Sequence, residues 1–231
     1  MGKFFVRSKE TTGPEDWQVG LEKPAHWRPG KSARALAYCW EQARGFPPEV
    51  LVALNSSGFP TFKDIHFVRG DVEFETALPG SRRGSQSDIL VQAISDSSLI
   101  TMAIEGKVEE GFDKSIGSWR LDATHRSGKP DRLNFLKKRL GLPGQDLRHI
   151  RYQLLHRTAS ALIEAERFGA SAAVMLVHSF SQCDKHLEDY LAFVDLFETT
   201  GNVDTVSHAG NRNGIDLYLA WVRGEERFLH I

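Results

Sequence analysis

The chain has 231 residues, a formal net charge of −1 and 26% charged residues, which suits one globular core and excludes a largely disordered chain. Its 2 cysteines, Cys39 and Cys183, exclude a disulfide scaffold and any CxxC zinc or dithiol site, so a reducing, cytoplasmic setting is expected. The start MGKFFVRSKETT holds no signal-peptide core and no apolar run approaches a membrane span, so the expectation is a soluble chain without a membrane partner.

Residues 1–30 mix Gly, Pro and Trp without periodicity and read as an irregular arm, which leaves 31–231 as a single domain. Ser32 is a good helix cap, followed by Ala33, Leu36, Ala37 and Trp40 on one face with Glu41 at its edge. A second short helix follows Pro47-Pro48 and carries Val50, Leu51 and Leu54. Next come β-type stretches at 59–68 and 71–78. SDILVQAIS (87–95) and LITMAIEGKV (99–108) follow, joined closely enough around Asp96 to form a hairpin. Residues 109–145 are rich in Gly, Lys and Arg, with a helical piece near Asp131–Leu140. A long helix is predicted from Leu147 to Phe168, ended by Gly169. AAVMLVHSF (172–180) has the continuous apolar run of a buried strand, HLEDYLAFVDLF is a further helix, and GIDLYLAWV (214–222) a final strand. His178 ends its strand as a satisfied core histidine, and His208 and Asn211 read as turn chemistry. The order predicts an α/β fold with a mixed central β-sheet flanked by helices.

Charge is unevenly spread. Residues 120–157 carry 10 Lys and Arg against 3 Asp and Glu, whereas residues 158–231 carry 5 against 11. The central segment is therefore the one to meet nucleic-acid phosphates, through Arg120, Arg126, Lys129, Arg151 and Arg157, with Trp119 beside it as a stacking candidate. A solvated helix face is the plainer account of the same charges.

Chemistry concentrates on the hairpin. Strand side chains alternate, so Thr101, Ala103, Glu105 and Lys107 share one face while Ile100, Met102 and Ile104 point the other way. In an antiparallel pair the start of one strand lies beside the end of the other, so Asp88 and Glu105 converge with Lys107 one step further on. Two carboxylates suit Mg²⁺ or Mn²⁺, and a neighbouring lysine can orient water and offset charge on a phosphorane.

Asp88, sixteen residues, then Glu105-Gly106-Lys107 resembles the PD-(D/E)XK nuclease superfamily, with Ser87-Asp88 in the place of its Pro-Asp. The resemblance implies a restriction-endonuclease-like fold and a Mg²⁺-dependent (or Mn²⁺-dependent) hydrolysis of DNA phosphodiester bonds, with Asp88 and Glu105 as metal ligands and Lys107 as the catalytic lysine. It also implies an acidic residue from the preceding helix, Glu41 or in reserve Glu49. The following helix would add Gln153, in a Gln153-x-x-x-Arg157 pair similar to the Gln motif of the RecB-like and Holliday-resolvase-like branches, with Arg157 where those carry Tyr. In the long helix, Gln153, His156, Arg157, Ser160 and Glu164 form one polar stripe.

Two other readings stand beside this one. The first is a non-catalytic nucleic-acid- or protein-binding module of the same fold; under either reading the oligomeric state is open, a homodimer included. The second is a phosphate-loop ATPase, because Ala25–Ser32 (AHWRPGKS) formally fits a relaxed phosphate-loop pattern and opens a helix. Against the second, Pro29 has no N–H to give a phosphate and no apolar strand precedes the segment.

Overall fold

The amino-terminal arm does not stay irregular. In the computed structural model, which describes residues 3–231 apart from 22, 81, 97 and 122–126, Lys3–Val6 forms strand β1. It makes a hairpin with the two-residue strand β2 (Lys9–Glu10) and runs parallel to β3 (His66–Thr76). Three apolar residues, Phe4-Phe5-Val6, are too few to announce a strand by pattern. An existing sheet edge supplies the hydrogen bonds, and burial of Phe4 and Val6 supplies the rest. A 3-10 turn at Pro14–Val19 follows, buries Trp17 against Phe4, and leads to helix α1 (Ser32–Ala43). Helix α2 (Pro48–Ser56) has Pro at its first turn, where no N–H is needed.

The predicted stretches at 59–68 and 71–78 resolve into a 3-10 turn at Pro60–Phe62 and the single long strand β3. Strands β4 (Ser85–Ser95) and β5 (Ser98–Lys107) form the expected hairpin, antiparallel to β3 and to each other. After the short helix α3 (Ile116–Leu121) come α4 (Lys129–Leu140) and α5 (Tyr152–Phe168). Helix α5 begins at Tyr152 rather than Leu147, because Arg151 is drawn into a bridge with Ser115 and Tyr152 N–H donates to the Lys114 carbonyl. Its carboxyl end is capped by Gly169 in the left-handed region (φ 69°).

Strand β6 (Ala172–Ser179), helix α6 (Leu187–Val194), and strands β7 (Thr205–Arg212) and β8 (Ile215–Arg223) complete the chain. The sheet is mixed and eight-stranded, ordered β2-β1-β3-β4-β5-β6-β8-β7, with helices on both faces. β5, β6 and β8 run parallel, joined by crossovers through α5 and α6. All eight residues of β6 are buried, and they serve two cores. Ala172, Val174 and Leu176 join the side covered by α1 and α2, while Ala173, Met175 and Val177 join the side covered by α4, α5 and α6. No described helix is long and apolar enough to cross a membrane.

Strand β7 falls where turn chemistry was expected. It is a half-exposed edge strand with polar residues, so it lacks an apolar run. Its turn is nonetheless written in the sequence as Asn213-Gly214, both at positive φ, the hairpin signature.

One close approach fixes the basic segment against the β3–β4 turn. Gly80 (φ +79°) and Gly128 meet backbone to backbone, and a Cβ built on Gly128 would lie 2.1 Å from the Gly80 carbonyl oxygen. Beside them the buried Arg132 guanidinium donates to the carbonyls of Leu78, Pro79 and Arg83. Gly128→Ala should therefore cost about 1–3 kcal/mol by forcing these backbones apart. A urea midpoint equal to that of the parent protein would show that the contact carries no stability.

Candidate active site

The β4–β5 ladder ends at Ile89↔Ile104, while β4 continues with β3 to Ser85 and β5 continues with β6 to Lys107. The two strands part just beyond that rung, and Asp88 and Glu105 stand at the parting. Asp88 Oδ2 accepts the Gly106 N–H at 2.7 Å, closing the gap with a side chain where the ladder stops. Gly106 permits this approach, since a Cβ there would lie 3.4 Å from Asp88 Oδ2 and 3.3 Å from Leu36.

Alternation puts Asp88, Glu105 and Lys107 on the face covered by α5, away from Ile89 and Ile104. The polar stripe of α5 meets them there. Lys107 Nζ donates to Glu105 Oε1 (2.7 Å) and to Gln153 Oε1 (3.2 Å), and Gln153 Nε2 donates to Glu105 Oε1 (2.7 Å). Arg157 Nε donates to Glu105 Oε2 at 2.5 Å and its Nη1 reaches Ser85 Oγ at 3.1 Å. The side chains of Glu105 and Lys107 are each 4% exposed, and that of Arg157 10%. These residues line a cleft of about 250 Å³, walled on its other side by Leu21, His26 and Lys31–Ala33.

Burial dominates the electrostatics. It pushes the Asp88 carboxyl well above the ordinary carboxylate range, and the negative Glu105 alongside pushes it further, with Arg157 and Lys107 giving back only part. Burial acts on Glu105 in the same sense, but Arg157 and Lys107 outweigh it and hold this carboxyl below its usual value. One carboxylate is well matched, its neighbour is not.

Glu73 is the site residue that the sequence reading missed. In β3 it falls between the rungs Val72↔Ile89 and Phe74↔Ser87, which sets it opposite Asp88, and it lines the same cleft. Glu73, Asp88 and Glu105 thus occupy one row across three adjacent strands. Glu73 sits at φ 51°, a left-handed conformation unusual for a non-glycine residue inside a strand. Its place depends on the register between β3 and β4, which no local pattern in the sequence announces.

Glu41 is not brought to this row. Its Oε1 accepts from Thr11 Oγ1 (2.7 Å) and Trp17 Nε1 (2.8 Å), and it lines a separate cleft of about 660 Å³ between the arm and α1. The reserve, Glu49, is held at the start of α2 by His178. In the basic segment, Arg120 is exposed at the end of α3, and Arg126 lies outside the described residues. Lys129 donates to the Trp119 carbonyl (2.7 Å) and stands over its ring. Trp119 in turn stacks on Tyr152 at 4.2 Å, so one of its faces is already covered. Arg151 pairs with Asp189 at 2.8 Å, and Arg157 faces Glu105. The phosphate-loop segment is a 3-10 turn at Pro24–His26 and a bend. Its Gly30 and Lys31 N–H groups are taken by the carbonyls of Leu229 and Arg28.

Among the described residues one three-membered set of soft and hard metal-ligand atoms comes together, Cys39, Glu49 and His178, within 4.8 Å of one another. The hydrogen bonds there decide against a metal. Trp40 Nε1 can only donate, and it donates to His178 Nδ1 at 3.1 Å. The ring proton therefore sits on Nε2, which donates to Glu49 Oε1 at 3.1 Å and has no lone pair to offer. The set is a relay tying α1, α2 and the end of β6, and His178 is a satisfied core histidine.

The fold and site define an α/β protein whose mixed sheet carries a row of carboxylates, the buried Glu105 at its end met by a lysine and an arginine. The chain belongs to a family recorded as a domain of unknown function (DUF6946), whose model matches residues 10–226. No curated protein and no solved structure matches it.

The raised Asp88 carboxyl gives a stability test. A carboxyl whose folded value exceeds its unfolded value binds more protons when folded, so the metal-free protein loses stability as pH rises through that interval. Asp88→Asn keeps an acceptor for Gly106 N–H and removes the charge. It should gain on the order of 1 kcal/mol at neutral pH, with the gain shrinking toward pH 4. Thermal melts in EDTA across that range measure it. An Asn variant less stable than the parent at pH 8 would show that Asp88 is a favourable ion-pair partner instead.

Proposed function

We propose that the protein is a divalent-cation-dependent nuclease with a restriction-endonuclease-like (PD-(D/E)XK) fold, hydrolysing phosphodiester bonds in DNA. The observation that carries this reading is the convergence of Asp88, Glu105 and Lys107 at the parting of β4 and β5, under Gln153 and Arg157 of α5. Their hard oxygen donors fit Mg²⁺ or Mn²⁺, and the strain of burying two adjacent carboxylates is what a cation would relieve. Asp88 and Glu105 would hold the ion, which when bound supplies Lewis acidity to a phosphate oxygen and to water.

The chain's own groups do the rest. Lys107, fixed between Glu105 and Gln153, presents its ammonium to the attacking water and to the charge that develops on the phosphorus oxygens. Gln153 keeps both Lys107 and Glu105 in register. Among the described basic residues of 120–157, Arg120, exposed at the end of α3, would be the first to meet a phosphate backbone.

A non-catalytic binding module of the same fold is the second reading. It is favoured by the three donors that already engage Glu105, as a purely structural ion network would. Cleavage separates the two. The full chain should nick or cut plasmid DNA with Mg²⁺ or Mn²⁺ and stop on chelation. Lys107→Ala should slow cleavage by about 100-fold or more while leaving cation affinity nearly unchanged, because its contribution arises in the transition state. Undiminished cleavage by that variant, or none by the parent with either ion, would remove the nuclease reading.

A further inference from the structure

Glu105 is oversubscribed for a metal ligand. A carboxylate oxygen has two lone-pair sites. Those of Oε1 are filled by Lys107 and Gln153, and Oε2 gives one of its two to Arg157. An ion approaching Oε2 also meets the guanidinium beside it. The charges tell the same story, since Lys107 and Arg157 are both committed to Glu105 in a nearly dry space. A cation that takes the remaining position on Oε2 must stand against that guanidinium or displace it, which is costly where both are buried. An anionic phosphate entering with the ion removes that cost, and a guanidinium suits it as a bidentate partner.

We propose that Arg157 couples cation binding to phosphate binding. In the free protein it is the counter-ion of Glu105; when nucleic acid and cation enter together it turns to a phosphate oxygen and releases Oε2. This rests on the nuclease reading and adds to it an order of assembly. The free protein holds Mn²⁺ weakly, and the cation and the nucleic acid each raise the other's affinity by the same factor. Arg157 stands on α5 and lines the cleft, with its guanidinium bridging Glu105 Oε2 and Ser85 Oγ at the edge of the space a phosphate would enter. It is a positioning residue for Glu105 before it is a phosphate ligand.

Calorimetric titration of Mn²⁺ into the full chain tests this, alone and saturated with a phosphorothioate DNA hairpin that resists cleavage. The parent protein should bind Mn²⁺ at least tenfold more tightly with the hairpin than without. Arg157→Gln, which keeps a hydrogen-bond donor and loses the charge, should bind Mn²⁺ alone at least tenfold more tightly than the parent alone, and should show less gain from the hairpin. Equal Mn²⁺ affinity in the parent with and without hairpin would overturn the proposal, even if the Arg157 variant failed to fold. Asp88→Asn separates the two levels of argument. If it abolishes a tight, hairpin-independent Mn²⁺ site, the nuclease reading stands and the coupling falls. If Mn²⁺ binding ignores Asp88 altogether, both fall.

Discussion

Burying a carboxylate under a helix requires partners, and Glu105 dictates where those partners stand. Strand alternation sends its side chain to the face that α5 covers, and the same alternation gives Lys107, two residues on, as one counter-ion. The second has to come from the helix. Gln153 and Arg157 are one helical turn apart, so α5 can present both only at one rotation about its axis. At that rotation Leu154, Leu155, Ala161 and Leu162 lie in the core on the same side of the sheet. The ion network and the hydrophobic stripe thus specify one docking of α5. Removing either partner of such a buried pair costs about 3–5 kcal/mol, because the other is stranded.

That docking explains why the neighbouring elements take their places. Helix α4 packs beside α5, and its Arg132 pins the β3–β4 turn by three backbone carbonyls. His156, one residue from Arg157, holds Ser85 through Nδ1 at 2.7 Å. Burial, with Arg157 and Arg132 nearby, holds its imidazole far below the usual value and so in its neutral form. Strand β4 is therefore fixed at its first residue by the same helix that neutralises Glu105, three residues before Asp88 takes up the Gly106 N–H.

Much of this was legible in the sequence because it depends on local spacing. The alternation in LITMAIEGK gives the face of Glu105 and Lys107 directly, and the stripe on α5 gives Gln153 and Arg157. What was not legible depends on register between separate segments. Glu73 joins the row through its pairing opposite Asp88, across a turn whose length cannot be converted into a register without knowing where β3 begins. Strand β1 escaped because its hydrogen bonds come from β3, more than sixty residues away. Glu41 misled because its position at the edge of the apolar face is compatible with two directions. Trp17 and Thr11, from the arm read as irregular, claim it for the other cleft.

The carboxyl ends of the parallel strands β5 and β6 are where an α/β sheet leaves its backbone open to a ligand, and here that end is clamped from both faces. On the α5 side the clamp is the Glu105 network. On the other side Trp40, His178 and Glu49 bind α1 and α2 to the end of β6, where His178 pairs in register with Gly106. A strand end held only from one side would let Glu105 and Lys107 rotate together, and a site needs its groups fixed to within about half an ångström. The Trp40–His178–Glu49 relay supplies that second hold through hydrogen bonds, from the face opposite the row of carboxylates. The two polar clusters therefore hold one strand end by different means, ion pairs on the side of the cleft and hydrogen bonds through a single histidine on the side behind it.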